Sequence, residues 1–127
     1  MVRRVPIEAQ WRSDACGVTE PAQLVVRTPD EWARLWKTMH RQRLPTPPLP
    51  EVDFSRQLVI GVFLGERSSG GASVEITAVH RQGEELLAEA RATEPSPAEL
   101  HTMVLTQPCA VVAVTADPEA RVRFQFR

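Results

Sequence analysis

The residues best suited to chemistry lie in a short polar segment between two apolar stretches, at residues 65–72. Glycines interrupt this segment, and glycine permits positive φ and the close approach of a ligand or another backbone. A loop of this kind, held between strands, often displays a binding site. We therefore expect a partner contact to centre on its charged, hydroxyl and glycine residues: Glu66, Arg67, Ser68, Ser69, Gly70 and Gly71.

Two features of this segment have more than one interpretation. Arg67 could bind a partner's carboxylate through two parallel hydrogen bonds, or it could pair locally with Glu66 or Glu75. Ser69 and the two following glycines could form an anion-binding nest. The Gly-Lys-Ser/Thr sequence and the following helix of a phosphate-binding P-loop are missing, so a nucleotide site is not indicated.

No catalytic or metal-binding motif is apparent elsewhere in the sequence. The histidines His40, His80 and His101 are far apart, and Cys16 and Cys109 do not form a Cys-x-x-Cys motif. A nucleophile would need a neighbouring base and an orienting acid, and no Gly-x-Ser-x-Gly elbow is present. We therefore expect no catalytic residue, no metal, no cofactor and no enzymatic activity.

The two cysteines and the amino terminus bear on the cellular compartment. Buried free thiols are the favoured interpretation of Cys16 and Cys109, although a pairing between them is left open. The first four residues include two arginines, but no long apolar stretch follows them. We therefore expect neither a signal peptide nor a membrane span, and a cytoplasmic location unless a leader is missing.

Length and composition indicate a soluble globular protein with a single domain at residues 1–127. Hydrophobic residues make up 43% of the chain and charged residues 24%, with a formal net charge of -1. A near-neutral balance with scattered arginines does not favour binding to nucleic acid or to an anionic membrane. A homo-oligomer is left open.

One helix is strongly indicated near residues 28–42. Thr28 can act as N-cap, Pro29 suits the first helical position, and Glu31 completes a capping box. The apolar side chains that follow recur at helical spacing on one face and are expected to pack on a sheet: Trp32, Leu35, Trp36 and Met39.

Two further features have alternative interpretations. The proline-rich stretch at residues 44–50 is favoured as a stiff surface connection, with an SH3-type ligand as the alternative. Trp11 could be a core residue, or it could mark a contact surface, where tryptophan is enriched.

The remaining pattern predicts six or seven strands. Residues 57–64 and 109–115 are apolar on both faces and should be central strands. Residues 73–80 and 85–93 should form a hairpin around Gln82 and Gly83, and residues 121–126 alternate cleanly. Residues 23–27 form a short strand, residues 1–19 form an irregular arm or edge strand, and residues 97–101 a helical turn. The expected fold is mainly β (α+β): an antiparallel curled sheet, sandwich or partly open barrel with one amphipathic helix.

Two sequence blocks resemble the PrcB-type protease-complex-subunit family, in its C-terminal domain. The first runs Phe-Leu-Gly-Glu-Arg-Ser-Ser-Gly-Gly-Ala-Ser-Val-Glu-Ile from Phe63, where members typically read Gly-x-Arg-Pro-Thr-Gly-Gly-Tyr before a strand. The second runs Leu-Thr-Gln-Pro-Cys-Ala-Val-Val-Ala-Val from Leu105, where members have Thr-x-Pro-Tyr before a valine-rich strand. Ala72 and Cys109 stand where the family has tyrosines. The resemblance extends over roughly residues 26–126.

The resemblance implies a non-enzymatic accessory domain, similar to those that associate with and stabilise a protease complex. Its partner would then be a protein, and a protease is the expected class. The alternative is a ligand-binding or protease-inhibitor-like module that inserts the loop at residues 65–72 into a partner's cleft.

Overall fold

The computed structural model of the protein describes residues 2–41, 43–68, 70–95 and 104–127. The expected turn at residues 97–101, together with Ser69 and His101, lies outside these ranges. The described elements are eight strands and one helix, in the order β1 (Val2–Val5), β2 (Ile7–Ser13), β3 (Ala22–Val26), α1 (Pro29–Met39), β4 (Gln57–Phe63), β5 (Ser73–Gln82), β6 (Glu85–Thr93), β7 (Cys109–Thr115) and β8 (Arg121–Phe126).

The strands form two four-stranded sheets, one in the order β1-β5-β6-β8 and the other in the order β2-β7-β4-β3. All strand pairs are antiparallel except β6 with β8. The sheets do not close into a barrel. The prediction of a mainly β fold with one amphipathic helix is confirmed, and of the architectures left open the molecule adopts the sandwich.

Strands β4 and β7 are apolar along their length because both of their faces are buried. Alternate residues such as Ile60 and Val112 face the other sheet, in a core shared with Val74 and Leu86. The intervening residues, such as Val59 and Val111, belong to a second core beneath the helix. Because neither face meets water, neither strand alternates with polar residues. The predicted central position of both strands is confirmed.

The helix forms as its amino-terminal signals predict. The Thr28 side chain accepts a hydrogen bond from the Glu31 backbone N–H at 3.2 Å, and Pro29 occupies the first turn. Its four predicted apolar residues are all buried, and His40 forms the C-cap. The proline-rich stretch runs back over the helix, because Trp36 Nε1 donates to the Pro47 carbonyl at 2.8 Å and Trp32 Nε1 to that of Pro50 at 2.9 Å. The stretch is therefore a surface connection fastened to α1.

The connections correct part of the predicted pairing. The β5–β6 hairpin forms as expected, with Gly83 at φ 63° in its turn. By contrast, the links from β4 to β5 and from β7 to β8 both cross between sheets, so neither is a hairpin. The last strand, β8, consequently joins the edge of the first sheet parallel to β6, where short connections had favoured antiparallel pairing.

Two further features of the strands refine the predicted pattern. The first residues form two edge strands, one in each sheet, so the edge-strand alternative holds for this segment. In β5 a bulge between Ile76 and Ala78 shifts the register. Val79, with an exposed fraction of 0%, therefore takes the core position that simple alternation had assigned to Ala78.

The cysteines are not free thiols. Cys16 and Cys109 form a disulfide, with their Cα atoms 6.1 Å apart and a sequence separation of 93. Both are buried in the core beneath the helix. The bond joins the segment after β2 to the first residue of β7, two parts of the chain that sequence spacing does not associate. Disulfides of this kind are typical of chains that mature in an oxidising compartment.

Candidate interaction site

The glycine-rich segment at residues 65–72 carries the chain from β4 in one sheet to β5 in the other. Gly65 begins it with φ 81°, a positive value that glycine permits. A Cβ built on Gly65 would lie 2.9 Å from the backbone nitrogen of Pro21. The next residue is held as well, because the Glu66 N–H donates to the Thr19 carbonyl at 2.9 Å. The segment therefore leaves β4 in a conformation that requires glycine.

A second segment lies beside it. The Arg67 N–H donates to the Thr106 carbonyl and the Thr106 N–H to the Arg67 carbonyl, both at 2.8 Å. Gln107 continues this contact, since its Nε2 donates to Glu66 Oε1 at 3.1 Å. The described residues of the two segments, 66–68, 70–71 and 104–107, thus form one unit, here called the paired-loop surface. The two sequence blocks that carried the family resemblance meet at this surface.

Arg67 makes side-chain contacts within the domain. Its Nη1 donates to the Leu64 carbonyl at 2.9 Å, and its Nη2 lies 3.0 Å from Glu94 Oε1. The guanidinium pairs with Glu94, which neither of the expected local pairings included. The side chain is 33% exposed and ties the segment to the end of β4 and to the residue that follows β6.

Other members of the paired-loop surface are available to a partner. Ser68 and Gly70 are exposed, Gly71 is half-buried, and Ser69 lies outside the described residues. The structure adds two apolar residues that the sequence interpretation did not assign to the site, Leu105 at 68% and Val104 at 46% exposure. Their signal was the apolar run from Met103 to Leu105, which leads into the second family-like block.

The two positions where the family has tyrosine do not lie on this surface. Ala72 is 3% exposed and belongs to the core between the sheets. Cys109 is 1% exposed and is held in the disulfide. Both replacements therefore lie in the interior of the domain.

The described residues contain little that resembles catalytic machinery. Within the described ranges, no group of three or more His, Cys, Asp or Glu residues could hold a metal ion. His80 Nε2 lies 3.4 Å from Glu89 Oε2, and Glu89 also binds Arg127. Among the described contacts, neither His80 nor His40 is hydrogen-bonded to a serine or a cysteine. No helix in the described part of the chain is long and apolar enough to span a membrane.

Two carboxyl groups have lowered pKa values, and both belong to local structure. The Arg27 backbone N–H donates to Glu31, which lowers the pKa of this carboxyl below its ordinary value of 4.5, with help from Thr28. The side-chain hydroxyl and the backbone N–H of Ser55 lower the pKa of Asp53 in the turn before β4. These shifts mark a helix cap and a turn, and neither marks a binding site.

The fold thus defines a two-sheet β-sandwich domain with one covering helix and with a paired-loop surface between its sheets. A family model described as "PrcB C-terminal" matches residues 58–115, just under half of the chain. The match confirms the predicted resemblance to this family over residues 58–115. A search of curated proteins and of solved structures returned no match.

The matched range corresponds to a defined part of the sandwich. It contains β4, β5, β6 and β7, the two inner strands of each sheet, and both halves of the paired-loop surface. The four edge strands and the helix are contributed by residues outside it. The matched segment is therefore the centre of the sandwich, and the rest of the chain covers its edges and one outer face.

Proposed function

We propose that the protein is a non-enzymatic accessory domain that binds a protease complex through the paired-loop surface. The observation that carries this proposal is the match of residues 58–115 to the PrcB C-terminal family, whose name indicates a protease-complex-related domain. The matched range includes both loops of the surface. Its exposed members combine hydroxyl, glycine and apolar groups, a composition suited to a protein partner.

The bracing of the loops supports a role in recognition. The bridge between Arg67 and Thr106, together with the guanidinium contacts to Leu64 and Glu94, holds the loop backbone before a partner arrives. Binding then requires less ordering of the chain, which favours affinity. The same bracing also suits the second candidate, an inhibitor-like module that inserts residues 65–72 into a cleft of the protease.

Affinity capture of the tagged protein from its native cells, followed by mass spectrometry, tests the proposal. We expect a protease among the captured proteins, and we expect its capture to be lost in Ser68→Trp and in Leu105→Glu. These positions are exposed, so the changes alter the surface and leave the bracing of Arg67 intact. Leu44→Glu is the matched control, because Leu44 is 90% exposed and lies in the proline-rich connection.

Thermal melts of each variant establish that the fold survives. Capture of a protease by both loop variants at the wild-type level would show that the paired-loop surface is not the contact. The effect of the purified protein on the captured protease separates the two candidates: an accessory domain preserves or prolongs its activity, and an inhibitor reduces it. A broad esterase and peptidase screen of the protein alone should show no activity, and turnover lost in His80→Ala would contradict the non-enzymatic role.

A further inference from the structure

A cleft of about 600 Å³ lies between β2 and the carboxyl end of α1, with the proline-rich connection beside it. Residues 10–13 of β2 line one side, and Trp36, Met39 and His40 line the other. Arg43 and Pro47 complete the wall together with Ala15. This volume is within the range of ligand-binding clefts. Every lining residue precedes the matched range, so this site is independent of the paired-loop surface and of the function proposed above.

The position of the cleft places it along a free strand edge. Successive residues of a strand point to opposite faces of its sheet. A cleft lined by four successive residues of β2 must therefore follow the edge of the strand, and it cannot lie over one face alone. In the described part of the chain β2 pairs only with β7, on its other side. Such an edge offers backbone donors and acceptors to an added strand.

Aromatic side chains provide a rigid apolar floor. The ring centroid of Trp11 lies 5.2 Å from that of Trp32 and 6.1 Å from that of Trp36. The hydrogen bonds from Trp32 to Pro50 and from Trp36 to Pro47 fix the two helix tryptophans. Trp11 is half-buried, packs on the core beneath the helix and also lines the cleft. A pre-organised aromatic surface of this kind binds apolar side chains at low entropic cost.

The charges around the cleft have one sign. Arg12 and Arg43 line it, and no lining residue is a carboxylate. The Arg12 Nε donates to the Val74 carbonyl at 3.0 Å, which holds that side chain at the junction of the two sheets. His40 stacks on Trp36 with ring centroids 4.0 Å apart, and its Nδ1 lies 3.0 Å from the Trp36 carbonyl oxygen. The electrostatic complement of this cleft is an acidic group beside an apolar one.

We propose that this cleft binds an extended, acidic peptide segment of a partner protein. The peptide pairs with the free edge of β2 as an additional strand. It places an apolar or aromatic side chain against Trp11 and Trp36, and a neighbouring carboxylate against Arg43.

The first test is a selection from a display library of random nonapeptides on the immobilised full chain. We expect enrichment of sequences in which an aromatic or large aliphatic residue is flanked by Asp or Glu. Failure to enrich any sequence, or enrichment of basic sequences, would overturn the proposal. The enriched peptide is then synthesised with blocked ends for binding measurements.

Intrinsic fluorescence reports binding without a label, because all three tryptophans of the chain belong to this cluster. We expect the peptide to shift the emission, and we expect Arg43→Glu and Trp11→Ala to weaken binding at least about tenfold. Arg123→Glu, an exposed position on β8, is the matched control and should bind as the wild type does. A peptide with Lys in place of its acidic residue should regain affinity for Arg43→Glu. Equal binding by wild type, Arg43→Glu and Trp11→Ala would overturn the proposal.

Strand addition has its own test. Methylation of alternate peptide nitrogens removes donors that an added strand needs, so one of the two methylation registers should abolish binding. Undiminished binding in both registers would overturn the pairing with β2. A free strand edge could also pair with a second copy of the chain. Light scattering of the concentrated protein tests for such self-association. Self-association that Arg43→Glu abolishes would assign the cleft to a dimer contact and overturn the peptide proposal.

Discussion

Arg67 and Thr106 exchange both of their backbone hydrogen bonds, each at 2.8 Å, although they belong to connections that are far apart in sequence. This bridge joins the two blocks whose residue types resemble the PrcB-type family. A connection that crosses between sheets has no hairpin partner of its own, so its polar backbone groups need partners elsewhere. The bridge supplies them and makes a single surface from the two loops.

Gly65→Ala is expected to lower the free energy of unfolding by about 2–3 kcal/mol, because a non-glycine residue there combines an unfavourable φ with a clash against Pro21. Gly83→Ala is the matched control. Gly83 also has positive φ, but no atom lies within 4 Å of the position of an added Cβ. Denaturant unfolding of both variants should show the larger loss for Gly65→Ala. Equal losses would show that the contact with Pro21 is easily relieved.

Arg67→Ala is expected to destabilise the protein by about 1–2 kcal/mol, since it leaves the Leu64 carbonyl without its charged donor. Glu94→Ala removes only the exposed ion pair and should cost less than about 1 kcal/mol. Chemical denaturation of the two single variants and the double variant measures the coupling between them. If Glu94→Ala destabilises the protein as much as Arg67→Ala does, the ion pair would account for the stability that Arg67 contributes.

Trp36→Ala is expected to cost about 3–5 kcal/mol, because it empties a large volume beneath the helix and removes the donor to the Pro47 carbonyl. Trp36→Phe keeps an aromatic ring without the N–H group and should cost less. Thermal melts compare the two variants. A melting temperature of Trp36→Ala equal to that of the wild type would contradict the burial of this helix face.

Loss of the disulfide is expected to cost about 4–5 kcal/mol on the chain-entropy view, because the bond joins cysteines 93 positions apart. The melting temperature should fall in dithiothreitol once the bond, which is buried, has been reduced in denaturant. A Cys16→Ala/Cys109→Ala double variant is the control, and its stability should not respond to the reductant. If reduction also leaves the stability of the wild type unchanged, the disulfide contributes nothing to the free energy of unfolding.

The helix cap should weaken in acid. The folded-state pKa of Glu31 lies below its ordinary value of 4.5, chiefly because of the hydrogen bond from the Arg27 N–H. The stability that ionised Glu31 contributes is therefore complete above pH 4.5 and is lost as the pH falls through the lower folded-state pKa. Because the group is exposed, the effect should stay under about 1 kcal/mol. The difference in stability between wild type and Glu31→Gln should be constant near neutrality and shrink below pH 4.5. A difference that persists unchanged in acid would contradict this assignment.

Local signals in the sequence determined several elements by themselves. Thr28, Pro29 and Glu31 specify the start of the helix through short-range hydrogen bonds and backbone geometry, and the spacing of Trp32 and Trp36 specifies its buried face. The two-sided apolar pattern of β4 and β7 predicted that both would be central. The residues around Gly65 indicated a shaped loop, and the Gly65 φ of 81° agrees with it.

Tertiary structure alone decided how these elements meet. Every strand presents the same backbone donors and acceptors, so beyond the β5–β6 hairpin the sequence pattern does not show which strand pairs with which, and the parallel pairing of β8 with β6 was missed. The partners of Arg67 and of Cys16 are likewise distant in sequence, at Glu94 and at Cys109. Their contacts exist only because the crossing connections bring separate parts of the chain together. The cleft beside Trp11 arises in the same way, from an edge strand and a helix end that only the assembled sandwich places side by side.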